Sequence, residues 1–98
     1  MQIREFQQLI DKMYSHHDRV RGPAKTFLWF MEEVGELASA VATRNDPQNL
    51  KEEFADVFAW LVTLANVENV DLEEAITKFT QGCPGCGKLT CTCGEKLT

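Results

Sequence analysis

The apolar positions of this chain recur at helical rather than strand spacing. Ile3, Phe6, Leu9, Ile10 and Met13 predict a first helix from Ile3 to about His17. Arg21, Gly22 and Pro23 interrupt the pattern. Pro23 suits the first turn of a second helix, which continues to about Thr43. Asn45, Asp46 and Pro47 make the next break, with Asp46 as N-cap and Pro47 at the first position of a third helix reaching about Val67. Asp71 offers a further N-cap, and Glu74 three residues later completes a capping-box-like pattern. The fourth helix should end before Gly82. No segment sustains strand-type alternation, and no repeat of solenoid length occurs. The expectation is an all-α four-helix bundle over residues 1–81, followed by a cysteine-rich tail over 82–98.

The second helix carries the sequence E-E-V-G-E, which sets Glu32, Glu33 and Glu36 beside large apolar side chains. On a wheel of about 100° per residue, Leu37, Phe30, Val41, Val34, Phe27, Ala38 and Met31 fill one arc starting next to Glu33. Glu36, Trp29 and Ala40 fall on the other side of Glu33. The third helix repeats the arrangement. Leu64, Val57, Leu61, Phe54, Ala65 and Phe58 form its apolar arc next to Glu53, with Trp60, Asn49 and Asp56 on the far side. Each helix thus places an acidic i, i+3 pair on the border of its apolar stripe, where the two residues share a face.

The short connection predicts that these two helices pack as an antiparallel hairpin. Glu33 and Asp56 are then equidistant from the turn, as are Glu36 and Glu53. If both borders face one groove, these carboxylates converge. Converging carboxylates repel one another, and a hard divalent cation with oxygen ligands relieves the repulsion. Mg²⁺ fits best and Mn²⁺ is a reasonable substitute. A solvated acidic face is the ordinary meaning of E-E-x-x-E alone; the second pair, level with the first, favours a metal site. A di-iron centre would need Glu-x-x-His pairs. His16 and His17 do not follow a Glu at that spacing.

At this point the residues resemble a known family. E-E-V-G-E followed by E-F-A-D, residues 53–56, is similar to the pattern E-E-x-x-E then E-x-x-D of the MazG-like nucleotide pyrophosphohydrolases. These belong to the all-α NTP pyrophosphatase group, with dCTP pyrophosphatases as close cousins. The likeness runs from about Phe6 to Phe79. It implies a four-helix module working as a homodimer or a dimer of dimers. It also implies Mg²⁺-dependent cleavage of a nucleoside triphosphate to the monophosphate and pyrophosphate, in nucleotide-pool housekeeping. By position it makes Glu33, Glu36, Glu53 and Asp56 the catalytic metal ligands. Glu32 becomes a supporting carboxylate or a ligand to a second ion. The same likeness puts Lys78 near substrate phosphate and Asn66 near base or sugar.

The chain has 98 residues, 44% hydrophobic, which suggests one domain with a modest core that oligomerisation or a metal would help to stabilise. A net charge of −5 argues against a protein that grips a nucleic-acid backbone. No secretory signal and no membrane-spanning stretch is legible, which makes a cytoplasmic setting the expectation. All the cysteines lie in C-P-G-C-G-K-L-T-C-T-C-G, and in a reducing setting Cys83, Cys86, Cys91 and Cys93 read first as a tetrahedral zinc site. A reduced disordered tail and redox chemistry remain the alternatives. Trp29 and Trp60 flank the acidic borders and could stack on a base, although core or interface packing is the commoner role. Arg21 and Lys25 could meet phosphates, and His17 belongs more naturally to the surface. Gly35, inside a helix, is expected where another helix approaches closely, as from a partner subunit. The rival to an enzyme is a non-enzymatic helical binding module with a zinc-stabilised tail.

Overall fold

The computed structural model describes residues 1–44 and 46–94. Asn45 of the expected break and the last four residues of the expected tail lie outside the described residues. The chain forms α1 (Ile3–Arg21), α2 (Pro23–Thr43), α3 (Pro47–Val67) and a short α4 (Leu72–Ala75) that continues as a 3₁₀ turn over Ile76–Phe79. There is no strand among the described residues, and the all-α four-helix expectation holds.

The helix boundaries follow stereochemistry written in the sequence. Gly22 separates α1 from α2 at φ +83°, a conformation that costs glycine nothing. Pro23 then opens α2. The Asp46 carboxylate accepts hydrogen bonds from the Gln48 and Asn49 N–H groups and caps α3. Asp71 caps α4 in the same way through Glu73 and Glu74. At α1, the Glu5 carboxylate accepts from the Gln2 N–H, a capping contact the periodicity did not reveal.

Two expectations need correction. The first helix runs four residues past His17, to Arg21. The fourth is one α-helical turn and a 3₁₀ turn instead of a continuous helix to Gly82. Ile76 and Phe79 remain exposed. With no packed face to stabilise it, a helix this short does not propagate.

The helices α2 and α3 form the antiparallel hairpin, and α1 lies against α3. Phe6 stacks on Phe58 with ring centroids 5.4 Å apart. Gln7 is buried and ties three elements together: its side chain donates to the Val70 carbonyl and accepts from the Leu72 N–H, and its own carbonyl accepts from Asn66 Nδ2. Arg4 reaches from α1 to Asp71 and Glu73, holding α4 in place.

The apolar core is small. Among the described residues, only Ile10, Ala40, Val62 and Ala65 are buried apolar residues. The stripes expected to form the core are only partly covered: Phe27, Met31 and Val41 on α2, and Phe54, Phe58 and Leu61 on α3, stay exposed in the single chain. Leu9 and Met13 of α1 also point outward, while the polar Gln7 and Asp18 are buried in their stead. A side chain built at Gly35 would meet nothing within 4 Å, so packing inside the chain gives no reason for glycine there.

Candidate functional site

The hairpin brings the acidic pairs together. Carboxylate oxygens of Glu33, Glu53 and Asp56 lie within 4.8 Å of one another. The Glu36 carboxyl is near enough to Glu33 and Glu53 to raise the pKa of both. Three of the four residues of the paired motifs therefore form one close cluster, with Glu36 beside it, while Glu32 is exposed and stands outside.

The electrostatics are unfavourable for a free acidic cluster. Burial pushes the Glu33 carboxyl above the ordinary carboxylate range, and Glu36, Asp56 and Glu53 push it further. Burial likewise raises Glu53, helped by Glu36 and Asp56. One oxygen of each, Glu33 Oε2 and Glu53 Oε2, is buried without a hydrogen-bond partner. Buried carboxylate oxygens without partners are costly. A set of hard oxygen donors with open valences suits a divalent cation such as Mg²⁺.

Arg21 lines a cavity together with Asp56, one member of the cluster. Its guanidinium lies 4.9 Å from the Trp29 ring centroid and 5.0 Å from that of Trp60, and the two indoles meet edge to face. It also donates to the Asp18 carboxylate and to the Thr26 hydroxyl. Thr26 is fully buried and Asp18 nearly so. Arg21 is thus a pinned cation between two aromatic faces. The sequence singles out Arg21, Trp29 and Trp60 separately and gives little sign of Asp18 and Thr26. Only the i, i+3 spacing of Asp18 and Arg21 could have signalled their pairing.

Lys25 also lies against the Trp29 ring, at 5.3 Å, and shares a cleft of about 620 Å³ with His16, His17, Val20, Arg21 and Trp29. Asn66 and Lys78 stand apart from these groups. Asn66 lines a separate cavity with Arg4, Asp11, Arg19 and Asn69, and Lys78 has its ammonium 5.0 Å from the Phe79 ring.

The tail gathers its cysteines. All the sulfurs of Cys83, Cys86, Cys91 and Cys93 lie within 4.8 Å of one another. Cys83 Sγ is 3.5 Å from Cys91 Sγ and 3.9 Å from Cys93 Sγ. These separations bracket the ~3.8 Å sulfur–sulfur edge of a tetrahedron with Zn–S bonds of about 2.3 Å. The backbone is shaped to suit. The Gly85 N–H donates to Cys83 Sγ and the Cys93 N–H to Cys91 Sγ. Gly82, at φ +111°, lets the chain pass so close that an added Cβ would sit 3.0 Å from the Gly87 carbonyl oxygen. Backbone N–H groups of Thr92 and Lys88 hold the Cys86 thiol down to about 6. The Cys91 thiol and burial push Cys93 up to about 11. The cluster can hold a metal ion with soft sulfur ligands.

No helix among the described residues is long and apolar enough to cross a membrane. Among known proteins, 49 residues of the chain, half its length, are 43% identical to an uncharacterized 18.2 kDa protein in the rep-hol intergenic region of Haemophilus phage HP1 (strain HP1c1). The match spans 29% of that protein's length. The profile of the MazG nucleotide pyrophosphohydrolase domain matches residues 21–85, a stretch containing both acidic motifs and reaching the first cysteine, Cys83. With that match extending over most of the helical region and the acidic pairs facing each other across the hairpin, the chain belongs to the MazG nucleotide pyrophosphohydrolase domain family.

Proposed function

We propose that this protein hydrolyses nucleoside or deoxynucleoside triphosphates to the monophosphate and pyrophosphate, using Mg²⁺ held by Glu33, Glu36, Glu53 and Asp56. The observation that carries this reading is the pair of buried, unpartnered carboxylate oxygens on Glu33 and Glu53 inside the acidic cluster. Mn²⁺ would serve in place of Mg²⁺. A bound divalent ion supplies charge neutralisation for the triphosphate and the departing pyrophosphate.

The chain's own groups do the rest. A water oxygen attacks the α-phosphorus, the bond to the bridging α–β oxygen breaks, and pyrophosphate leaves. A cluster carboxylate accepts the proton of that water. Lys25, in the cleft it shares with Arg21 and Trp29, would offset part of the phosphate charge. Glu32 stands close enough in sequence to orient a cluster member. Lys78 and Asn66 would join the site only through a neighbouring subunit, consistent with a homodimer or dimer of dimers.

The test is pyrophosphate release from a panel of canonical and modified NTPs and dNTPs with Mg²⁺. Turnover of at least one, abolished by chelation, is the expected result. The rival reading, a helical binding module, draws on the exposed apolar faces of α2 and α3. Absence of turnover on the whole panel, with fold and assembly intact, would favour it.

The same proposal gives the tail, residues 82–98, a structural Zn²⁺ bound by Cys83, Cys86, Cys91 and Cys93. Purified protein with reduced cysteines should contain about one zinc per chain by elemental analysis. A content below about half an ion per chain would defeat this assignment. Replacing Cys86 by Ser should release the metal and unfold the tail while α1–α3 persist, as read by circular dichroism.

A further inference from the structure

Between α1 and α3 lies a cavity of about 410 Å³ whose walls include Ile10, Tyr14, Asp18, Asp56, Trp60 and Thr63. That volume is within the usual range for small-ligand pockets. One wall is Asp56, a member of the acidic cluster, so the cavity and the metal groove adjoin. Tyr14 and Trp60 give it aromatic surface, on which a flat heterocycle can stack.

Asp18 gives this cavity a polar determinant. The residue is 4% exposed. Its Oδ1 accepts from Arg21, while its Oδ2 is buried with no partner. Arg21 cannot turn to serve both oxygens without loss, because Trp29, Trp60 and Thr26 fix its guanidinium. A buried acceptor left open is a standing cost, repaid when a ligand brings a donor. A flat ring bearing an N–H donor would satisfy that acceptor at the wall of a cavity that also includes Asp56.

We propose that Asp18 accepts a hydrogen bond from an exocyclic amino group of the substrate's base, so that the protein selects amino-bearing bases over their oxo counterparts. This rests on the pyrophosphohydrolase reading and adds its base preference. Cytosine and adenine carry an amino group where uracil and hypoxanthine carry a carbonyl oxygen. A carbonyl there would set two acceptors against each other in a partly dry pocket. A site that hydrogen-bonds a donor rejects the analogue lacking it far more strongly than an apolar pocket rejects a change of shape.

The measurement is calorimetric binding of the monophosphates CMP against UMP, and AMP against IMP, with Mg²⁺ present. Wild-type protein should bind the amino member of at least one pair roughly tenfold or more tightly. Asp18→Asn keeps the shape and an oxygen for Arg21 but turns an amide N–H₂ toward the open position. It should bring the preference to near parity or reverse it, chiefly by improving the oxo ligand. A purely structural role for Asp18 would weaken both members alike, and that outcome overturns the proposal. Equal binding of both members of each pair by the wild type also overturns it, with no need for the variant to fold; so does no binding of any of the four. Selective binding without turnover on the triphosphate panel would sink the pyrophosphohydrolase reading and leave the base pocket standing. Turnover without selectivity would do the reverse.

Discussion

Replacing Glu36 or Asp56 by Ala should abolish pyrophosphate release and leave the helical content unchanged. Removing one preorganised charge-stabilising group typically costs about 100- to 1,000-fold in rate, and a metal ligand belongs at the upper end of that range or beyond it. Both side chains are exposed enough that truncation opens no core cavity. Retained turnover in either variant would remove the carboxylates from the mechanism. Stability should move the other way from activity. Glu53→Gln deletes a charge raised in pKa by burial and by Glu36 and Asp56, so the metal-free variant should melt above the metal-free wild type. Most substitutions destabilise, which makes a rise in Tm with a loss of activity diagnostic of stored repulsion.

The pH dependence follows from the same two residues. Glu33 and Glu53 titrate above the ordinary carboxylate range in the folded chain. Between the unfolded and folded values the folded protein binds more protons than the unfolded one. The contribution of these two groups to the stability of the metal-free protein is therefore most favourable below that window and is lost as pH rises through it. Metal and protons compete for the same oxygens. The gain in Tm on adding Mg²⁺ should be largest near neutral pH and shrink as pH is lowered towards the carboxylate range. Scanning calorimetry in chelator and in Mg²⁺ across that range would show it; a pH-independent gain would contradict the assignment.

The parts of this molecule that were legible in the sequence are those fixed by short-range stereochemistry. Pro23, the Asp46-Pro47 pair and Asp71 set helix starts that the structure reproduces. The approach of Glu33 to Glu53 and Asp56 was legible too, because i, i+3 spacing and a short hairpin connection leave little freedom. What was illegible depends on partners distant in sequence. Arg21 looks like an ordinary surface cation until Trp29 and Trp60, from two helices, close on it. The burial of Gln7 depends on Val70 and Leu72, more than sixty residues away. The stripes of α2 and α3 were correctly identified as apolar, but periodicity cannot say whether such a stripe is covered by the same chain or by another.

That stripe carries the second large effect. A compact monomer of this mass exposes roughly 5,700 Å², whereas this chain of 11.1 kDa exposes 7348 Å². Its radius of gyration, 15.8 Å, exceeds the ~12.6 Å expected for a domain of this length. The cysteine tail contributes to both differences, and so do the uncovered rings of Phe27, Phe54 and Phe58. A standard protein–protein contact buries about 800 Å² per partner, which this surplus could supply. Phe54 and Leu61 are one heptad apart on the same exposed face of α3. In an isolated chain, Arg at either position would be nearly neutral, since exposed substitutions usually change stability by less than about 0.5 kcal/mol. In a dimer, Arg would bury an unpaired charge at the subunit contact, and the double variant should fall to monomer in sedimentation and lose about 10 °C or more in Tm. The wild type, in contrast, should melt higher as its concentration rises, because assembly and folding are linked by mass action. A wild type that sediments as a monomer at every concentration, with both variants melting where it does, would show that the face has no partner copy.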